Sequence, residues 1–316
     1  MIQTKFTELT GCKVPIQLAG MPGVNTVELA STVSNAGGLG MISATHMDTE
    51  FLTQTIDKVK KQTSLSYGVN FLVPFIDRKC IEVAASKSHL VEFFYGDPDP
   101  SLVDLVHSQS TLACWQIGSN EEAKLAEKAG CDLIVAQGVQ AGGHVRGDED
   151  LHSLLGKVLE NVDIPVIAAG RIATAHDVKE VLKSGASAVR IGTRFVAAKE
   201  SGAHPIYIQS IIDAGKDDTV LTETFSVGWS HAHHRVLKSC VDEVNSFQGD
   251  VIGERDLAGV KSSVPKGSIA LPTKETTGHI EAMALYASGS AEFVKEIKSA
   301  AEIISELIEC ISYELR

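Results

Sequence analysis

Aromatic residues make up only 5% of this 316-residue chain, and nowhere does it carry the uninterrupted apolar stretch of about 20 residues that a membrane-crossing helix needs. The opening Met1-Ile2-Gln3-Thr4-Lys5-Phe6 also lacks a charged segment followed by an apolar core, so a cytoplasmic setting is expected. Basic residues are scarce, 28 against 40 acidic ones, and the net charge of −12 has no Lys/Arg stripe to offset it. A nucleic-acid backbone or anionic bilayer would be repelled on average, which leaves small molecules, and at most a second copy in a homodimer, as the expected partners. The six cysteines, Cys12, Cys80, Cys114, Cys131, Cys240 and Cys310, are scattered without a C-x-x-C pair, so they read as buried reduced thiols, with no metal site.

Apolar content is 44%, enough to fill a large core. Short apolar runs alternate with helix-period segments up to about residue 212, the signature of repeated βα units around a parallel sheet. Eight strands are expected, at 15–19, 39–43, 67–73, 90–95, 112–117, 133–136, 166–169 and 188–191. That number favours a closed (β/α)8 TIM barrel over an open doubly wound sheet. Helix signals lie between them: Thr26 to Ala36 before Gly37-Gly38, an Asn120 cap opening a helix that ends at Gly130, and Thr174 to Ser184 before Gly185. The expected division is a barrel over 1–214, an inserted subdomain after the eighth strand over 215–275, and C-terminal helices over 276–316 that complete the barrel. Within that last part, helices are expected from Gly278 to Leu285 and from Ala291 to Tyr313, the second with an apolar stripe that includes Phe293, Ile297, Ile303 and Leu307.

The chemistry concentrates at strand ends. Ala136-Gln137-Gly138-Val139-Gln140-Ala141-Gly142-Gly143-His144 puts one imidazole directly after a glycine pair, where backbone can approach a flat ligand. His144 is the candidate acid/base, because imidazole titrates near neutrality. The turns at Gly170-Arg171 and Gly192-Thr193 follow the seventh and eighth strands, where barrel enzymes commonly bind phosphate through backbone N–H groups. Gly20 and Met21 end the first strand, while Asn70 and Gln116 offer amide donors and acceptors to a heterocycle edge. His231, His233 and His234 lack a carboxylate or Cys at a spacing that completes a metal set, and are expected at the substrate mouth.

Taken in order, Ala36-Gly37-Gly38-Leu39-Gly40, Gly68-Val69-Asn70, Gln140-Ala141-Gly142-Gly143-His144, Ile164 to Gly170, Ile191-Gly192-Thr193-Arg194-Phe195 and Glu281 to Ala287 resemble the nitronate monooxygenases, formerly 2-nitropropane dioxygenases. The resemblance covers most of the chain. It implies an FMN-dependent barrel that oxidises alkyl nitronates with dioxygen to a carbonyl compound and nitrite. The implied FMN contacts are Gly20, Met21, Asn70, Gln116, Gln140, Gly142, Gly143, Gly170, Arg171, Gly192 and Thr193. His144 is the implied catalytic residue, either deprotonating a nitroalkane at carbon or orienting the nitronate. Two departures stand out: Arg171 where many relatives carry a second glycine, and Gln116 at a position where Lys occurs. The same motifs also resemble FMN-dependent enoyl-acyl-carrier-protein and quinone reductases, and a non-catalytic flavin-binding protein would require a sealed barrel mouth.

Overall fold

The computed structural model describes residues 2–257 and 260–311. Up to residue 191 the strands are β1 (Ile16–Leu18), β2 (Gly40–Ser43), β3 (Tyr67–Leu72), β4 (Leu90–Phe94), β5 (Leu112–Ile117), β6 (Leu133–Gln137), β7 (Gly143–His144), β8 (Val166–Ala169) and β9 (Ala188–Ile191). All except β7 form one parallel sheet in the order β1-β9-β8-β6-β5-β4-β3-β2. Leu39, just ahead of β2, closes it: its N–H donates to the Ile16 carbonyl at 2.8 Å and its carbonyl accepts from Leu18 N–H at 3.0 Å. The chain is therefore a TIM (β/α)8 barrel. Its strands read as near-continuous apolar runs because helices cover their outer faces while their inner side chains fill the barrel.

Helix starts follow the hydroxyl and carboxylate caps. Thr26 accepts from Leu29 N–H, and Thr174 and Asp177 cap one another's backbone. The cap of the helix Asn120–Lys128 is Ser119 rather than Asn120, because the serine hydroxyl already accepts from Glu122 N–H, which makes Asn120 the first helical residue.

Beyond residue 214 two small antiparallel sheets form. One joins β10 (Thr219–Thr222) to β11 (His234–Leu237) and carries on to β7, with His234 paired to His144. The other is built from β12 (Val251–Leu257), β13 (Val260–Pro265) and β14 (Thr277–Gly278). The two helices expected near the C-terminus are shorter than the apolar pattern implied. Gly278 to Leu285 holds only the 3₁₀ turn Ile280–Ala282, since the following chain is drawn alongside β11: Leu285 carbonyl accepts from Leu237 N–H, and Ala287 N–H donates to Arg235 carbonyl. The stripe from Ala291 is interrupted. A 3₁₀ turn Ala291–Phe293 leaves Phe293 and Ile297 exposed, and a true helix, Ala300–Leu307, begins only where Ser299 and Glu302 make a capping box. Tyr313 lies outside the described residues. The helix Ala300–Leu307 packs between the helices Val27–Asn35 and Ala175–Lys183, filling the ring beside β1 and β9. Among the described residues no helix is long and apolar enough to cross a membrane.

Five of the six cysteines are buried and only Cys310 is exposed. Burial raises the Cys12 thiol to about 11, and those of Cys131 and Cys240 to about 12. Titration of the native protein with a thiol-reactive chromogen at pH 8 should report one fast equivalent, and six after denaturation. Three or more fast equivalents would contradict this packing.

Candidate active site

A cavity of roughly 870 Å³ opens at the C-terminal ends of the barrel strands, and residues beyond the barrel strands, among them Trp229, Arg255 and Leu271, also line it. Gly20, Met21, Asn70, Gln116, Gly142, Gly143, His144, Gly170, Arg171, Gly192 and Thr193 all lie on its wall. Gln140 does not. Its Oε1 accepts from Leu151 N–H at 3.3 Å, so the side chain is turned to a helix start and away from the cavity.

Two glycines have clear steric reasons. A Cβ on Gly142 would sit 2.6 Å from Ser288 N, because the C-terminal segment crosses directly over that turn. Gly143 has φ +78°, a left-handed conformation natural to glycine, with open space where a side chain would go. Arg171 also has a left-handed φ, of 52°, and its guanidinium reaches Glu292 at 3.0 Å and the Gly289 carbonyl at 3.4 Å. The charge is thus engaged by the C-terminal segment, leaving the backbone of this turn as its contribution to the cavity. Thr193 Oγ1 accepts from Ser288 N–H at 3.0 Å.

His144 sits beneath an aromatic cover. Its ring stacks on Trp229 at 4.2 Å and 25°, with Tyr286 at 5.5 Å, Tyr95 at 6.0 Å and the His234 ring at 5.3 Å. The residue is only partly buried, yet its Nε2 is enclosed and has no hydrogen-bond partner. Desolvation, reinforced by the neighbouring His234, pushes its pKa down from 6.5 to about 3. Imidazole here is a neutral group with a vacant nitrogen. His234 differs: Nδ1 donates to the Ala232 carbonyl at 2.8 Å while Nε2 accepts from Phe225 N–H at 3.3 Å, so both nitrogens are spent on the fold. His231 and His233 face outward around Glu223, at 4.0 and 3.0 Å.

Several residues at or below the cavity escaped the sequence reading. Gln137 donates from Nε2 to the His144 carbonyl at 3.1 Å, while its enclosed Oε1 has no partner. Below the floor, Glu92 is fully buried on β4. It accepts from Arg190 at 2.5 Å, from Asn70 Nδ2 at 2.8 Å and from Gln17 Nε2 at 2.9 Å. Arg190, also buried, donates to Gln116 Oε1 as well. The signal was available: Glu92 and Arg190 are opposite charges, each in the middle of an apolar strand run, and neither has a solvent face to occupy.

A parallel barrel with a polar-floored cavity at its strand ends is the architecture of an enzyme. A family model described as nitronate monooxygenase matches residues 3–79 and 74–309. A probable nitronate monooxygenase of Staphylococcus aureus (strain JH9) is 30% identical over 321 residues, covering 87% of this chain and 90% of that protein. FabK from Thermotoga maritima superimposes with a TM-score of 0.81 at 30% identity, over 98% of this chain and 96% of that one. A nitroalkane oxidase from Streptomyces ansochromogenes does so with a TM-score of 0.79 at 26% identity, over 98% and 99%. The chain belongs to the nitronate monooxygenase family and is an oxidoreductase.

The low pKa of His144 fixes the sign of an acid effect. The unfolded chain binds this proton near pH 6.5 and the native chain only near 3. The contribution of this group to stability is therefore complete above pH 6.5 and declines as pH falls toward 3, by at most about 2 kcal/mol between pH 6.5 and 5. The His144 ring-proton NMR shift should stay flat from pH 8 to 5, and an inflection near 6.5 would contradict the enclosed site.

Proposed function

We propose that this protein oxidises alkyl nitronates with dioxygen to a carbonyl compound and nitrite, using FMN. What carries the reading is the neutral, unpartnered His144 Nε2 enclosed at the wall of the cavity. Buried polar atoms are nearly always bonded, so three orphans on wall residues, His144 Nε2, Gln137 Oε1 and Asn25 Oδ1, fit a missing polar ligand. The volume suits a heterocyclic cofactor with a small substrate, and the strand-end glycines leave room for a flat ring. Gly20, Met21, Asn70, Gln116 and Gly143 would hold the ring. The backbone at Gly170-Arg171 and Gly192, together with Thr193, would take the phosphate. FMN, when bound, supplies the electron transfer that the side chains cannot.

The rest of the work belongs to the chain. An imidazole with its nitrogen poised by burial forms one oriented hydrogen bond to a nitro or nitronate oxygen. With a pKa near 3 it is a weak base, so orientation of a preformed anion suits it better than removal of a proton from carbon. Trp229 shields this contact from water by stacking on the ring. Free buried thiols support a reducing, cytoplasmic setting.

A second reading, an FMN-dependent reductase fed by NAD(P)H, is supported by the likeness to FabK and by Lys58 and Arg255 at the cavity wall, cations that suit a phosphate-bearing donor. The non-catalytic reading has less support, because the cavity extends to the exposed Phe51 at the surface.

Anaerobic addition of ethyl nitronate should bleach the flavin absorbance, whereas NADH should not, and bleaching by NADH alone would favour the reductase. Steady-state kinetics should give neutral nitroethane a kcat/KM at least about 100-fold below that of ethyl nitronate, within the range a competent base contributes. Comparable values would show that His144 becomes basic in the complex.

A further inference from the structure

We infer that Glu92, buried beneath the cavity floor, and Arg190, buried at the cavity wall, are positioning residues that fix the hydrogen-bonding polarity of the two floor amides, so that these amides accept a ring edge carrying N–H beside a carbonyl. An amide side chain can ordinarily rotate by half a turn and exchange its oxygen for its nitrogen. Neither amide on this floor can. Asn70 faces a carboxylate, which only accepts, so the atom 2.8 Å from Glu92 must be Nδ2, and Oδ1 is left for the cavity beside Gly20. Gln116 faces a guanidinium, which only donates, so its Oε1 is held by Arg190 and Nε2 is left for the cavity. Arg190 and Glu92 hold one another at 2.5 Å, and Gln17 pins the second carboxylate oxygen at 2.9 Å, so the five partners set one another's orientation.

The two amides therefore offer one acceptor, Asn70 Oδ1, and one donor, Gln116 Nε2. The complementary edge is an imide, N–H flanked by a carbonyl, which the pyrimidine half of an isoalloxazine carries. This inference rests on the FMN reading and specifies how the ring is chosen and turned. A ligand whose N–H is replaced by N–CH₃ would leave Asn70 Oδ1 facing a methyl group.

The test compares FMN with its N3-methyl analogue, measuring the dissociation constant of each by flavin fluorescence. The reconstituted wild-type protein should bind the methylated ring at least about tenfold more weakly, the loss of roughly one good hydrogen bond. Removing one charge alone would strand the other in the core, so the variant is the double replacement Glu92→Leu with Arg190→Met. Freed of both charges, the two amides can turn, and the preference should shrink below about threefold while FMN affinity also falls. Wild-type protein that binds FMN but does not discriminate overturns the inference, as does a folded double variant that keeps the full preference. Wild-type protein that binds no FMN overturns the cofactor reading itself.

Discussion

The buried pair of Glu92 and Arg190 is the constraint around which the rest of the site is arranged. Two full charges are held inside a barrel whose other interior side chains are largely apolar, and each is satisfied only through groups from several strands: Gln17 from β1, Asn70 from β3 and Gln116 from β5. Such a pair is weak evidence for stability, because an apolar substitute of equal volume often serves as well. Removal of one partner alone is another matter, costing about 3–5 kcal/mol through the uncompensated charge left behind. A structure that accepts that risk gains specificity, and here the gain is read at the cavity floor, where two amides lose their freedom to flip.

The upper wall is ordered differently. Strand β11 is hydrogen-bonded to the histidine loop at β7, so the orientation of His144 depends on chain far along the sequence, with His234 paired to it. Gln137 fixes the same loop from beneath through the His144 carbonyl, and Trp229 covers the ring by stacking on it. Floor and roof thus use opposite physics. The floor holds two opposite charges satisfied by one another and by neighbouring amides, and the roof holds an imidazole that burial keeps neutral.

Much of this was legible in the sequence. Alternating apolar runs located all eight barrel strands, since parallel strands covered on both faces carry an unbroken apolar signal. Strand-end glycines and His144 were read from local pattern, and they do converge on one cavity. Features that depend on tertiary partners were not legible. The Gln140 side chain turns toward Leu151, a choice set by a helix start that its own neighbours do not encode. The apolar stripe from Phe293 to Ile311 looked like one helix, but the chain breaks it to let Lys298 and Lys199 pair their backbones. Glu92 and Arg190 went unremarked because each, taken alone, is an interruption in a strand; only the barrel brings the two interruptions together.

The claim that a charged pair dictates the polarity of the floor is tested most directly by following the side-chain amide N–H signals of Asn70 and Gln116 during FMN titration of ¹⁵N-labelled protein. Gln116 Nε2 should shift as its protons engage the ring, while Asn70 Nδ2 stays where Glu92 holds it. The reverse pattern, with the Asn70 protons moving on binding and those of Gln116 unmoved, would contradict the account.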